Sequence, residues 1–200
     1  MLLLETLHVN ICKMKDEAFI NTILQKGSEA KDKARNAFSG ISPEQLNWKP
    51  SLQKWSIAQC LDHLVISDSS YFAELEKIIA GNYRMKFWEK YSPFTGMLGK
   101  IMKDRLQEEP KIKMKTSKKI QPSSGEMDMG IIDRYHKNLD RFLEYISNCR
   151  SVDLDKIIIT SPITSVVTYS LRDALQFLIQ HEHRHLNQAI RVKVTANFPE

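Results

Sequence analysis

An all-α fold, a bundle of four long helices with a long crossover between the second and third, is predicted by three observations. Apolar residues recur at helical spacing in four extended segments. The seven glycines and seven prolines are few for 200 residues and cluster between those segments. One connection, residues 82–125, is too long for a tight turn and suits a chain that crosses the bundle, so that the second and third helices run parallel. The length is that of a single domain, residues 1–200, able to bury a full core without staples.

The first helix is expected over residues 15–39, where Phe19, Ile20, Ile23, Leu24, Ala30, Ala34 and Phe38 share a face and Gly40 is the stop. Residues 1–13 carry no pattern. The stretch from Ile41 to Trp55, with Pro43, Pro50 and Trp48, reads as an ordered aromatic loop. Ser56 and Gln59 have capping-box spacing and open a second helix whose stripe of Ile57, Leu61, Leu64, Val65, Phe72, Leu75 and Ile79 runs to Gly81. His63 lies at the edge of that stripe. The crossover is lysine-rich, is broken by Pro93, Pro110 and Pro122, and holds a short helix near 94–106.

A third helix is expected over 124–149, opened by Ser123 and Glu126, with Ile131, Ile132, Tyr135, Leu139, Phe142, Leu143 and Ile146 facing inward. Residues 157–169 are β-branched and extended in character, but Pro162 argues against a central strand, so they read as an ordered loop. Ser170 then caps the fourth helix, 170–192, with Leu171, Ala174, Leu175, Leu178, Ile179, Leu186, Ala189, Ile190 and Val192 on its apolar face.

Composition narrows the function. Net charge is +5, concentrated in the crossover, where Glu89, Asp104, Glu108 and Glu109 interrupt the basic residues; this reads as a solvated loop and not a nucleic-acid surface. No run of about 18 apolar residues is present to span a membrane, and the first residues lack the basic region of a signal peptide. Cys12, Cys60 and Cys149 have no C-x-x-C spacing, which fits free thiols in a reducing cytoplasm.

Chemistry concentrates in His181-Glu182-His183-Arg184-His185. Imidazoles at i and i+4 project to one side of a helix and offer two nitrogens to one ion, while His183 falls on the opposite margin. Two ligands hold a metal poorly, and two half-buried histidines with polar neighbours are the plain alternative. Of the remaining histidines, His8 is in the patternless N-terminus and His136 adjoins Tyr135, so His63 is the best third ligand. Read as H-E-x-x-H, the segment also matches the zinc-protease helix. That reading lacks a downstream ligand, because the fifteen residues after His185 hold no histidine and only Glu200 as a carboxylate.

Trp55-Ser-Ile-Ala-Gln-Cys-Leu-Asp-His63-Leu in helix two and His181-Glu-His-Arg-His185-Leu-Asn-Gln188 in helix four resemble the DinB-like family, as do the helix order, the Phe94-Thr-Gly-Met-Leu-Gly-Lys crossover and the Pro162 approach. The resemblance implies an up-down-down-up four-helix bundle with a divalent metal, nickel or zinc, on His63, His181 and His185. It also implies the activity of a low-molecular-weight-thiol S-transferase, with a small thiol and an electrophilic substrate as partners; a homodimer is a separate expectation for the assembly. Three imidazoles leave an ion with open positions, as in a catalytic site. A metal-dependent hydrolase would share that first step, and a non-catalytic metal-binding or interaction bundle is the remaining alternative. Glu182, if it turns toward the ion, is the candidate base; the competing expectation is a buried pair with an Arg or Lys. Gln188 is the candidate for orienting substrate or a ligand nitrogen.

Overall fold

The computed structural model describes residues 2–91, 116–164 and 166–200, with side chains from Asp16 onward. Four major helices pack as an up-down-down-up bundle: α1 (Leu2–Phe38), α3 (Ile57–Ile79), α5 (Gly130–Asn148) and α6 (Leu171–Lys193), with short helices α2 (Pro43–Asn47) and α4 (Phe87–Tyr91) in the connections. Both α1 and α3 pack against α5 and against α6. The core between them is the predicted set of apolar faces. Leu64 and Leu75 from α3, Leu139 and Phe142 from α5, and Leu175 and Leu178 from α6 are all buried. Each such side chain contributes roughly 2 kcal/mol by leaving water.

Helix ends follow the chemistry of their caps. Ser56 Oγ accepts from the Gln59 N–H while Gln59 Oε1 accepts from the Ser56 N–H, so two otherwise unpaired donors are satisfied. Ser170 Oγ accepts from the Asp173 N–H and sets the entry to α6. Gly40 and Gly81 follow α1 and α3 with φ of 72° and 69°, a backbone that a side chain would strain.

Four expectations change. Helix α1 extends back to Leu2, across residues that carry no sequence signal. Within the expected loop 41–55, Ser42 and Gln45 form a second capping box around α2. The third helix starts at Gly130 and not near 124, because residues 123–127 are held by tertiary bonds. The Ser123 N–H donates to Asp62 Oδ2, the Ser123 carbonyl accepts from Gln59 Nε2, and Asn47 bonds both the N–H and the carbonyl of Met127. The expected loop 157–169 contains a small antiparallel hairpin, β1 (Ile158–Thr160) with β2 (Thr168–Ser170). Pro162 falls in its connection, where no ladder donor is needed. The short helix expected near 94–106 lies outside the described residues.

The hairpin is fastened beside the start of α6 by Arg172. Its guanidinium bonds the buried Asp16 of α1 and, at 2.6 Å, Asp155, and it lies 4.7 Å over the Phe19 ring. Removing it leaves the buried Asp16 carboxyl without its cation, so Arg172→Met is expected to lower stability by about 3 kcal/mol, read as a shift of the urea midpoint at unchanged slope. A loss below about 1 kcal/mol would assign Arg172 to the weak surface pairs.

Candidate metal centre

Three turns of chain bring the histidines together. His63 follows the capped start of α3, and His181 and His185 stand one turn apart on α6, which packs against α3. Ring centroids are 4.9 Å apart for His63 and His181, and 4.5 Å for each of the other two pairs. One nitrogen from each ring lies within 4.8 Å of the other two. The cluster can coordinate a divalent ion. His8 lies outside the described side chains, and neither His136 nor His183 belongs to the cluster; His183 Nε2 instead meets the Lys26 carbonyl of α1 at 3.0 Å.

The other ring nitrogens fix the tautomers. His63 Nδ1 donates to the Ile120 carbonyl at 2.6 Å, and His185 Nδ1 donates to Gln188 Oε1 at 3.0 Å. Both rings therefore turn a bare Nε2 outward, which is the arrangement of a metal-binding imidazole with an outer partner. His63 Nε2 and His181 Nε2 are 3.1 Å apart, close to the roughly 3.3 Å that two tetrahedral ligands about 2.05 Å from one ion would show. His181 Nδ1 is buried without a partner. Without an ion one nitrogen of this trio is left unsatisfied whichever tautomer His181 takes, so the residues present fit a metal.

Burial sets the charge state. It pushes all three imidazoles below the ordinary histidine range, helped for His181 and His185 by neighbouring imidazoles and for all three by Arg184; His185 falls to about 3. The trio is neutral at physiological pH and ready to ligate. Trp55, just before the α3 cap, packs at 4.8 Å from His63 and 5.6 Å from His185, while Phe177 stacks on His181 at 5.8 Å. These rings close one side of the centre. On the other, His185 fronts a cleft of about 570 Å³ that Trp55, Gln188, Arg184 and Arg191 also line.

Glu182 lies between the two α6 ligands in sequence but has different neighbours. Its carboxyl is fully buried beside Asp68 of α3 and Tyr135 of α5, not beside an Arg or Lys, so the competing expectation of a buried ion pair gives way to a carboxyl pair. The three groups interact electrostatically, yet both Glu182 oxygens, Asp68 Oδ1 and the Tyr135 hydroxyl lack a hydrogen bond of ordinary geometry. Burial raises the proton affinity of both carboxyls, and their mutual repulsion favours a single shared proton. Nothing in the expected site included Asp68. Its position was nonetheless visible, four residues after Leu64 and four before Phe72, inside the α3 stripe. Gln188 is where its spacing put it, one turn beyond His185 and bonded to it.

Residues 28–189 match the DinB superfamily. The chain belongs to that family. It is also similar to the uncharacterized protein YuaE of Bacillus subtilis (strain 168), 26% identical over 170 residues that cover 83% of this chain and 94% of YuaE. No solved structure matches it.

Two measurements test the electrostatics. Because burial holds the imidazoles neutral, divalent-metal binding at pH 6.0 should release almost no protons, whereas three histidines at about 6.5 would release roughly two. Titration calorimetry in buffers of differing ionisation enthalpy reads this directly. For Glu182, whose folded affinity for a proton is raised above the unfolded value, the stabilising contribution is present below about pH 4.5 and is lost as pH rises through the folded value. Glu182→Gln should therefore match the metal-free parent near pH 4.5 and exceed its stability at pH 8 by on the order of 1–3 kcal/mol. A constant difference across that range would mean the carboxyl is not protonated in the fold.

Proposed function

We propose that this DinB-superfamily protein is a metal-dependent enzyme that transfers a low-molecular-weight thiol to an electrophilic substrate, with nickel or zinc held by His63, His181 and His185. The observation that carries the reading is the combination of three neutral imidazoles with an open cleft fronted by one of them. A closed structural site would have four protein ligands. When bound, a divalent ion among neutral imidazoles favours the deprotonated form of a thiol or water beside it, supplying a thiolate or hydroxide at neutral pH.

The chain's own residues then divide the work. Gln188 and the Ile120 carbonyl hold the rings of His185 and His63 in the ligating tautomer, which makes Gln188 a positioning residue. Trp55 and Phe177 keep the imidazole side of the centre dry. Glu182 is the proposed acceptor of the thiol proton: burial brings its proton affinity toward the range of a neutral-pH base, and the pair it forms with Asp68 has room for a second proton. The nucleophilic sulfur comes from the small thiol and not from the chain, for Cys60 and Cys149 are buried free thiols pushed up to about 12. Cys12 lies outside the described side chains.

Free thiols accord with the reducing cytoplasm that belongs to this reading. No helix among the described residues is long and apolar enough to cross a membrane. A homodimer completes the proposal.

The nucleophile must be varied to test it. Metal-loaded protein incubated with a chlorinated aromatic or an epoxide should form thioether adduct only when a small thiol is present, and His181→Ala should abolish adduct and metal content together. Gln188→Ala should weaken metal binding by roughly 10–100-fold while leaving the fold intact. Glu182→Gln should lower turnover without lowering metal content. Ester or amide cleavage without thiol would replace transfer by hydrolysis. Turnover unaffected by His181→Ala would replace catalysis by a binding role for the bundle.

A further inference from the structure

The cleft beside His185 has a one-sided charge. Arg184, half-buried, and Arg191, exposed, project from α6 one on each side of Gln188, and Lys54 stands opposite beside Trp55. The neighbouring cleft shares Lys54, Trp55 and Thr116 and adds Lys49 and Lys118. No Asp or Glu lines either cleft among the described residues. Nor do Arg184 and Arg191 form an ion pair among the described residues, although Arg172, Arg141 and Arg134 each have a carboxylate there. Two guanidiniums share a wall with no carboxylate among the described residues to neutralise them.

That arrangement is costly without a ligand. Arg184 is partly withdrawn from water, and both its burial and the nearby Arg191 work against its charge. The same cations act on His185 at the end of the cleft. Guanidinium forks match carboxylate and phosphate oxygens in geometry as well as in charge. An anion seated between them would relieve the repulsion.

The geometry points to an anionic small molecule as the occupant of this cleft: a ligand whose carboxylate or phosphate is held by Arg184 and Arg191 while its reacting end reaches His185. This inference rests on the proposed small-molecule reaction at the three-His centre. It specifies that the small molecule consumed there is a carboxylate- or phosphate-bearing one, and that a neutral thiol or a neutral electrophile lacks the anchoring group. Residues Arg184 and Arg191 are the binding determinants, with Lys54 adding attraction from the opposite wall.

The test needs no turnover. Metal-free protein is titrated with succinate, inorganic phosphate, mercaptosuccinate and, as the neutral probe, 2-mercaptoethanol, following the His185 ring protons by NMR, with the signal assigned from His185→Asn. Anionic probes should shift that resonance saturably and 2-mercaptoethanol should not. Arg184→Gln and Arg191→Gln should each weaken anion binding about tenfold or more. Succinate binding with phosphate excluded identifies the anchored group as a carboxylate, and the reverse identifies a phosphate. A urea melt of each variant confirms that the fold is kept; the exposed Arg191 carries the test if Arg184→Gln unfolds.

Equal response to neutral and anionic probes, or unchanged affinity in Arg191→Gln, would overturn the anion site. The outcome separates from that of the reading beneath it. Anion binding that depends on both arginines in a protein without thiol transfer would sustain the site and remove the transferase. Thiol transfer with equal kcat/KM for neutral and anionic thiols and acceptors, insensitive to Arg191→Gln, would do the opposite.

Discussion

Three imidazoles crowded into a dry seam between α3 and α6 are the constraint on which the rest of the structure depends. An imidazole in such a place has two nitrogens to satisfy, and water cannot help. For His63 the partner is the Ile120 carbonyl, which belongs to the returning end of the crossover. The chain must therefore come back at a fixed height beside α3. Asp62 and Gln59 hold it there by bonding the two backbone groups of Ser123, so the first two turns of α3 serve at once as helix, cap and anchor.

Along α6 the same economy puts unlike chemistry on adjoining positions. His181 and His185 meet His63, whereas Glu182, turned by about 100°, meets Asp68 and Tyr135. Burial acts on the two groups in opposite directions, removing protons from the imidazoles and adding one to the carboxyl pair. The imidazoles are left neutral, and the carboxyl pair keeps a single negative charge where two would otherwise stand. Positive charge near the histidines stands at the rim, where Arg184 and Arg191 follow the ligands along the helix toward solvent.

Most of this architecture was legible in the sequence, for a physical reason. Long amphipathic helices repeat their signal over many turns, and the faces of α3, α5 and α6 came out as their periodicity required. His181 and His185 were legible because i, i+4 spacing alone sets which way two side chains project; His63 followed because only it sat on a strongly patterned helix. What stayed hidden was set by single long-range bonds. Asn47 and Asp62 overrode a good capping box at Ser123, and three residue pairs made a hairpin of a stretch whose proline pointed to a loop. The partner of Glu182 was hidden for a different reason: a carboxylate on an apolar face suggests a cation, and only the packing of α3 against α6 reveals a second carboxyl.

That second carboxyl bears on how the centre tolerates charge. Neutral imidazoles do nothing to cancel a dication, and a low-dielectric seam makes its field reach far. Asp68 and Glu182, on the same two helices, hold one negative charge when they share a proton and a second when it leaves. The arginines oppose any further positive charge at the cleft and invite an anion from solvent. A positive rim outside and a titratable acid inside thus bracket the histidines. Negative charge can reach the centre from either direction, by ligand from the cleft or by proton loss from the pair, and the fold fixes both routes through one helix.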